Sequence, residues 1–314
     1  MTTIETALGP IPARELGFTL SHEHVFVAMG EDNHHYPWRF DWAATRAAAV
    51  GELTEAKAGG VDALIDLTTP DLGRDVEFVA DVSRASAVHV IVATGIWRDV
   101  PRSFWTRDLD AIADIFVREI TEGIGRTTIK AAVIKVANDV GGVTPEGERI
   151  LRGAARALKR TGCPISTHHW APEQVGRRQV QIFQEEGAPM DRVAIGHSAD
   201  TTDVGYLESL LHAGVYLSMD RYPGGGGRPV WQQRNDTVKA LIDRGWASRL
   251  MLGHDHAPAP VPAGSVAPAR AEPTRYLHLS RVALPALRGL GVASETVDLM
   301  MREVPRRFLT GSSA

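Results

Sequence analysis

The feature that most constrains the fold of this chain is a series of eight short apolar runs, most of them followed by a longer stretch of helical character. Continuous apolar runs are typical of strands that are covered on both faces of a parallel sheet. Repeated alternation of strand and helix predicts an α/β protein with a (β/α)8 TIM barrel, in one domain over residues 1–314. The predicted strands are Phe18–His24, Val61–Thr68, His89–Thr94, Ala131–Val136, Pro164–His168, Arg192–His197, Val215–Asp220 and Arg249–Asp255.

Apolar residues at three- and four-residue spacing predict helices between these strands, as in Thr106–Gly123 and Glu146–Thr161. Thr144 followed by Pro145 is typical of an N-cap and first helical residue. The glycine-rich segment Tyr222–Pro229 predicts either a flexible connector or a substrate-facing lid. The alternating prolines of Ala257–Pro268 favour an extended backbone that passes over the mouth of the barrel.

Composition and charge exclude several classes of protein. The net charge of −4 and pI near 6.3 argue against a nucleic-acid partner, which would require clustered lysine and arginine. Cys163 is the only cysteine, so no intramolecular disulfide can form, which fits a reducing compartment. The N-terminus lacks the features of a signal peptide, and no apolar run reaches membrane length. We therefore expect a soluble, cytoplasmic protein without membrane contact.

Metal-competent side chains stand at the carboxyl ends of five predicted strands, which share one face in a parallel barrel. The His-X-His arrangement puts two imidazoles on the same side of the first strand, since side chains alternate with a period of two. Imidazole and carboxylate ligands suit zinc, and also cobalt, manganese or iron. The pattern predicts a hydrolase that binds two divalent metal ions. The residues are His22, His24, Lys135, His168, His197 and Asp255.

Lys135 is the unusual member of this set, because an ammonium beside dications would be repelled. A lysine that extends to solvent fits poorly after the apolar run Ala131–Ile134. Burial and nearby cations would lower the pKa of the amine, and the neutral amine can react with carbon dioxide. We therefore predict a carboxylated Lys135 whose carbamate bridges the two ions.

These residues, in this order, resemble the phosphotriesterase family of the amidohydrolase superfamily, most closely its phosphotriesterase-like lactonases. The resemblance covers nearly the whole chain. It includes the motifs Thr19–His24, Gly73–Asp75, Ala93–Ile96, Ile195–Thr201, Met219–Tyr222, Gln233–Asn235 and Pro305–Phe308.

The resemblance implies which residue binds which ion. The buried ion would be held by His22, His24 and Asp255, and the more exposed ion by His168 and His197. Carboxylated Lys135 and a hydroxide would lie between the ions, and Asp255 would accept the proton of the hydroxide during attack. The resemblance also implies a homodimer.

Two further residues match positions with a role in the family. Asp200 matches a carboxylate that would relay a proton or orient a ligand, although a turn or helix-cap aspartate is an alternative. Arg221 matches an arginine of the lactonases that would contact the substrate or a carboxylate, and an ordinary surface arginine is the alternative.

The predicted substrate pocket departs from the lactonase pattern. Trp97 stands where lactonases usually have a tyrosine, and an indole nitrogen donates a hydrogen bond but cannot accept one. Tyr222 and His256 are the other predicted pocket residues, whereas His169 and His254 should point away from the site. This departure weakens the assignment of the protein as a lactonase, but it does not affect its assignment as a hydrolase.

The predicted reaction is hydrolysis of an ester-type bond in a small molecule. A lactone or related carboxylic ester is favoured, with slow hydrolysis of organophosphate triesters as a side activity. One alternative is a true phosphotriesterase or another ester or amide hydrolase. Others are a single-ion, deaminase-like enzyme and a catalytically silent metal-binding barrel with a regulatory or scaffold role.

Overall fold

The computed structural model describes residues 2–264 and 274–311 of the chain. The strands in these residues are β1 (Thr3–Thr6), β2 (Gly9–Pro12), β3 (Thr19–Glu23), β4 (Ala63–Asp66), β5 (His89–Ile96), β6 (Val133–Ala137), β7 (Ile165–His168), β8 (Val193–Ile195), β9 (Tyr216–Met219), β10 (Gly224–Gly225), β11 (Arg228–Val230) and β12 (Leu250–Leu252). The α-helices are α1 (Asp32–His35), α2 (Trp42–Ala58), α3 (Val76–Ser86), α4 (Leu109–Thr121), α5 (Pro145–Thr161), α6 (Gly176–Glu185), α7 (Val204–His212), α8 (Trp231–Asp243), α9 (Leu284–Gly289), α10 (Ser294–Asp298) and α11 (Val304–Thr310). Two π-helical turns, Leu279–Ala283 and Leu299–Glu303, lead into α9 and α11.

Eight parallel strands form the central barrel, in the order β3-β4-β5-β6-β7-β8-β9-β12. The first and last strands meet through two backbone hydrogen bonds, in which Asp255 N donates to His22 O and His24 N donates to His256 O, each at 2.9 Å. The side chain of Glu23 reinforces this seam, because its carboxyl oxygens accept from the backbone N–H groups of His254 and His256. The predicted (β/α)8 barrel is confirmed.

Several strands end earlier than the sequence pattern predicts. The run Arg192–His197 pairs only over Val193–Ile195, and Arg249–Asp255 only over Leu250–Leu252. The chain leaves the sheet here because His197 and Asp255 have φ angles of 60° and 54°, which no strand residue adopts. The predicted strand His89–Thr94 is longer in the structure, where β5 continues to Ile96.

The predicted helices are present with slightly shifted ends. Helix α4 begins at Leu109 rather than near Thr106, because the side chain of Asp108 caps it by accepting from Asp110 N and Ala111 N. Thr144 caps α5 by accepting from Gly147 N, and Pro145 is the first helical residue, as predicted.

One end of the barrel is closed by apolar packing. The hairpin β1–β2 and helix α11 cover inward-facing residues of the strands, in a cluster that includes Ile4, Ile65, Ile91, Met251 and Phe308. A second apolar cluster fills the layer between the strands and the surrounding helices. A site inside this barrel can therefore open only at the carboxyl ends of the strands.

The two unusual loops lie at that open end. The glycine-rich segment forms most of the small antiparallel hairpin β10–β11, in which Gly224 pairs with Val230. The proline-rich segment pairs with the chain ahead of α2, since Asp41 N donates to Val261 O and Ala263 N donates to Arg39 O, both at 2.7 Å. The remainder of that predicted excursion, residues 265–268, lies outside the described residues.

No helix in the described part of the chain combines the length and the apolar character that a membrane span requires.

Gly253 gives a direct test of the barrel seam. A Cβ atom at this position would lie 2.8 Å from His22 N and 2.9 Å from His22 O, closer than side chains approach backbone. We expect Gly253→Ala to lower the free energy of unfolding by about 2 kcal/mol or more, measured by urea denaturation. The matched control is Gly51→Ala on α2, where nothing lies within 4 Å of an added Cβ. Removing a helical glycine should raise stability by about 0.5 kcal/mol, and equal effects of the two changes would contradict the packing argument.

Candidate metal centre

Four histidines, one lysine and one aspartate converge at the carboxyl ends of the strands, as the sequence predicts. Asp255 Oδ1 lies 3.1 Å from His24 Nε2 and 3.3 Å from His22 Nε2. His22, His24 and Asp255 place one donor atom each within 4.8 Å of one another, a spacing at which they could hold an ion. His168 ends β7 and His197 follows β8, and these two strands are neighbours in the sheet.

Asp220 fixes the orientation of two of these imidazoles, and our sequence analysis did not assign it to the site. Its carboxylate is fully buried, with Oδ2 at 2.8 Å from His22 Nδ1 and Oδ1 at 2.8 Å from His197 Nδ1. Both Nδ1 atoms must carry the proton to donate to this carboxylate, so both Nε2 atoms present lone pairs to the cavity. Ser218 Oγ donates a further hydrogen bond to Asp220 at 2.9 Å.

His24 is oriented in the same way by a hydroxyl group. Its Nδ1 lies 2.8 Å from Thr68 Oγ1, which leaves Nε2 directed at Asp255.

Burial lowers the pKa of His22 to about 4, with the charge of Lys135 as a second cause. Burial also lowers the pKa of His197 well below its ordinary value. His22 and His197 are therefore neutral near pH 7, the form of imidazole that binds metal.

His168 and His197 also direct ring nitrogens at one another, in an arrangement that suits a cation. His168 Nδ1 lies 2.7 Å from His197 Nε2, the atom whose lone pair faces the cavity. The indole Nε1 of Trp97 donates toward the same His168 nitrogen from 3.4 Å. On the other side of the ring, Asp139 Oδ2 is 3.5 Å from His168 Nε2. Converging ring nitrogens beside carboxylates are the donor set that a divalent transition metal prefers, so the residues fit such an ion.

Lys135 lies inside the cluster and is 1% exposed. Its Nζ is 3.3 Å from His22 Nε2 and 3.5 Å from Thr167 O, and no carboxylate neutralises it at contact distance among the described residues. Burial lowers the pKa of the amine from 10.5 to about 8, although the charges of Asp255 and Asp220 oppose that shift. An appreciable fraction of the amine is therefore unprotonated near neutral pH, as the chemistry of carbamate formation requires.

Arg221 connects the cluster to a second carboxylate. Its Nε donates to Asp255 Oδ2 at 2.9 Å and its Nη1 donates to Asp200 Oδ2 at 2.7 Å. Asp200 does not cap helix α7, because Asp203 does so by accepting from Tyr206 N. Arg221 thus contacts two carboxylates and is not an ordinary surface residue. Asp200 is buried and lies in the short turn Ser198–Asp200.

Three of these residues hold a left-handed backbone. The φ angles of His197, Arg221 and Asp255 are 60°, 64° and 54°. Such conformations cost about 1–2 kcal/mol for each residue that is not glycine. The backbone thus turns sharply where the strands end, and each turn carries its side chain into the mouth of the barrel.

A cavity of about 230 Å³ lies over the cluster. Apolar side chains form much of its wall: Val27, Met29, Leu72, Trp97 and Ala257. Asp71 positions the segment that carries Trp97, because its buried carboxylate accepts from the backbone N–H groups of Trp97, Arg98 and Asp99 at 2.9–3.0 Å. Trp97 therefore lines the cavity, as the sequence analysis expects.

The other two predicted pocket residues do not line this cavity. Tyr222 is buried and its hydroxyl donates to Asn235 Oδ1 at 3.0 Å. His256 turns outward, with Nε2 at 2.8 Å from Glu52 Oε2. Both contribute to the wall of an adjoining cavity instead, because the chain turns away from the barrel axis directly after Arg221 and Asp255. His254 points away as expected, and its Nδ1 lies 2.8 Å from Glu23.

Comparison with known proteins decides the family. Residues 2–309 match the model of the phosphotriesterase family. The chain belongs to this family. It is 42% identical over 320 residues to the phosphotriesterase homology protein of Mycobacterium tuberculosis strain H37Rv, with 98% of each chain covered. It is 33% identical over 306 residues to the aryldialkylphosphatase of Saccharolobus solfataricus, with 96% of this chain and 97% of the relative covered.

A solved structure shows the same architecture. The phosphotriesterase from Mycobacterium tuberculosis superposes with a TM-score of 0.88 at 40% identity, and the match covers 98% of each chain. Members of the family are hydrolases that use two metal ions, and the His/Asp groups described above could bind such ions. The family and the donor geometry therefore agree.

Proposed function

We propose that this phosphotriesterase-family hydrolase acts on lactones or related carboxylic esters, with slow hydrolysis of phosphotriesters as a side activity. The observation that carries the proposal is the convergence of oriented imidazole lone pairs, Asp255 and Lys135 beneath a cavity with a largely apolar wall. Such a wall suits the uncharged alkyl part of a substrate whose ester group faces the cluster.

The metal chemistry belongs to this proposal. When bound, two divalent ions, with zinc as our first choice, would supply a hydroxide near neutral pH and polarise the carbonyl or phosphoryl oxygen. His22, His24 and Asp255 would hold one ion, His168 and His197 the other, and a carboxylated Lys135 would contact both.

The protein residues have separate tasks in this scheme. Burial alone would raise the pKa of Asp255, but the hydrogen bond with His24 and the charge of Arg221 hold it well below its usual value. Asp255 is therefore ionised and able to take a proton from the attacking water. Arg221 holds the carboxylate of Asp255 in position, and through Asp200 it provides the next acceptor in the hydrogen-bonded chain.

Relatives in the family support a second candidate function. The N-acetyltaurine hydrolase of Danio rerio is 25% identical over 354 residues, with 98% of this chain and 97% of the relative covered, and its name denotes cleavage of an amide. Esters and amides pass through the same tetrahedral geometry, so the cluster can serve either bond. Similarity to the aryldialkylphosphatase likewise supports a phosphotriester as an alternative substrate.

A substrate comparison tests the proposal. We expect zinc- or cobalt-loaded protein to hydrolyse γ- and δ-lactones with kcat/KM at least about tenfold above that for paraoxon, the proposed side substrate. We expect the same margin over N-acyl amides, since alkoxide leaves far more readily than amine. The control is the same protein after chelation of its metal, which should be inactive and recover with added zinc. A many-fold preference for the phosphotriester or the amide would replace the lactone assignment. Inactivity of metal-loaded protein toward the whole panel would favour the silent barrel.

A further inference from the structure

A second cavity, of about 370 Å³, adjoins the one that contains the histidines. The two cavities share Arg221 and Asp255, so a ligand could occupy both at once. The hairpin β10–β11 forms one side of the second cavity, and Arg275 and His256 form another. We call this second cavity the arginine pocket.

The arginine pocket carries an excess of positive charge. Among the residues that the structure describes, four arginines line it, together with a single carboxylate, that of Asp255. Two further carboxylates pair with these arginines from outside the pocket lining: Asp200 contacts Arg221, Arg228 and Arg234, and Glu52 contacts Arg275. Four guanidinium groups thus meet three carboxylates, one of which is a predicted metal ligand. A concave surface with this balance attracts anions.

The four arginines differ in how many donors they have left. Arg234 is fully buried and uses its three nitrogens on Pro229 O, Asp220 O and Asp200 Oδ1, so it is structural. Arg228 has a side chain that is 41% exposed, and its Nε lies 3.3 Å from Asp200 Oδ2. Neither terminal nitrogen of Arg228 hydrogen-bonds to another described residue, which leaves both as donors toward the pocket.

The geometry around Asp200 brings two guanidinium groups together. Arg228 Nε and Arg221 Nη1 approach the same oxygen, Asp200 Oδ2, at 3.3 and 2.7 Å. Two glycines on the strand of the hairpin that pairs with the strand of Arg228, Gly224 and Gly225, carry no side chains that would cover these guanidinium groups. At Gly224 a Cβ would lie 2.0 Å from Pro229 O and 2.6 Å from Arg234 Nε, so this wall cannot accept a larger residue. Paired guanidinium groups at an open wall can donate to two oxygens of a carboxylate or of a phosphate.

We propose that the arginine pocket binds a carboxylate or phosphate group that the substrate itself carries, so that the preferred substrates are anionic lactones or esters. This inference rests on the proposed function, because it places the scissile bond at the histidine cluster and the anionic group beside Arg228. The apolar wall of the first cavity then contacts the carbon skeleton between the two groups.

Paired substrates test this proposal. A γ-lactone with a carboxylate substituent is compared with its methyl ester, which is nearly the same shape but uncharged. We expect metal-loaded wild-type protein to prefer the carboxylate in kcat/KM by about tenfold or more. In Arg228→Ala the ratio of the two kcat/KM values should fall by about 10- to 100-fold, mainly through KM of the anionic lactone. Arg228→Lys should retain part of the preference because it keeps the charge.

The matched control is Arg244→Ala, which removes an exposed guanidinium that pairs with Glu208 away from the pocket. This variant should keep the wild-type ratio. Equal kcat/KM for the two lactones, with no change in Arg228→Ala, would overturn the arginine pocket and leave the hydrolase assignment standing.

An equilibrium binding measurement tests the proposal without requiring catalytic turnover. Inorganic phosphate is titrated calorimetrically into metal-loaded wild type, Arg228→Ala and Arg244→Ala. We expect Arg228→Ala to weaken phosphate binding by about tenfold and Arg244→Ala to leave it unchanged. Identical binding by all three proteins would mean that phosphate contacts the ions alone, which overturns the proposal. If neither lactone is hydrolysed, the proposed function fails, and the titration still decides whether the pocket binds anions.

Discussion

Lys135→Ala should reduce kcat/KM for the best substrate by about 10³-fold or more, since loss of metal-ion stabilisation removes several kcal/mol from the transition state. Lys135 lies at the centre of the cluster, with Nζ 3.3 Å from His22 Nε2 and with 1% exposure. Alanine removes the atom that would form the carbamate. We therefore also expect bound metal to fall from two equivalents per chain to about one or fewer, measured by elemental analysis after gel filtration.

Chemical rescue separates loss of the carbamate from loss of the fold. Short carboxylic acids such as propionate can enter the space that alanine leaves and supply the missing oxygens, so they should restore part of the activity and of the metal content. Lys239→Ala is the control, because this lysine pairs with Asp243 on the surface of α8. Full activity of Lys135→Ala, or mass spectrometry and a crystal structure that show an unmodified ammonium in metal-replete protein, would refute the carbamate.

Asp220→Asn should lower metal affinity and kcat/KM by about 100-fold, the upper part of the range for groups that orient a ligand. One carboxylate accepts from Nδ1 of both His22 and His197, so its replacement disturbs imidazoles assigned to different ions. The amide can accept through one oxygen only, and its NH2 group would face an imidazole N–H. The measurement is zinc affinity by chelator competition, together with kcat/KM at saturating zinc.

A graded control comes from the same hydrogen-bond chain. Ser218→Ala removes a single donor to Asp220, whose contacts with both imidazoles persist, so we expect less than about a tenfold loss. Wild-type zinc affinity in Asp220→Asn would show that the imidazoles hold their orientation without this carboxylate.

The barrel and the cluster could be predicted from sequence because both follow from periodicity. Buried parallel strands read as continuous apolar runs, and their carboxyl ends share one face, so His22, His168 and His197 had to lie near one another once the fold was assigned. The start of helix α5 at Pro145 could also be predicted from local sequence, because an N-cap residue and a first-turn proline are adjacent in the chain.

Asp220 could have been recognised by the same rule, because it ends the predicted strand Val215–Asp220 just as His168 and Asp255 end theirs. The sharing of one carboxylate between two imidazoles, however, is a contact over 198 residues in the case of His22, which no local pattern encodes. Tyr222 and His256, which the sequence predicts for the substrate pocket, line the adjoining cavity and not the one over the cluster, for a related reason. A left-handed residue precedes each of them, and positive φ at arginine or aspartate is not apparent from the sequence.

The three arginines that converge on Asp200 have a consequence for protein engineering. Arg228 belongs to the hairpin β10–β11, Arg234 to helix α8, and Arg221 contacts both Asp200 and Asp255, the proposed metal ligand. Grafting a different loop between positions 222 and 229 would therefore be expected to alter not only substrate selectivity but also the basicity of Asp255, the group that we propose takes up the proton. Libraries that randomise this loop should hold position 228 constant, or screen turnover and selectivity as a single coupled trait.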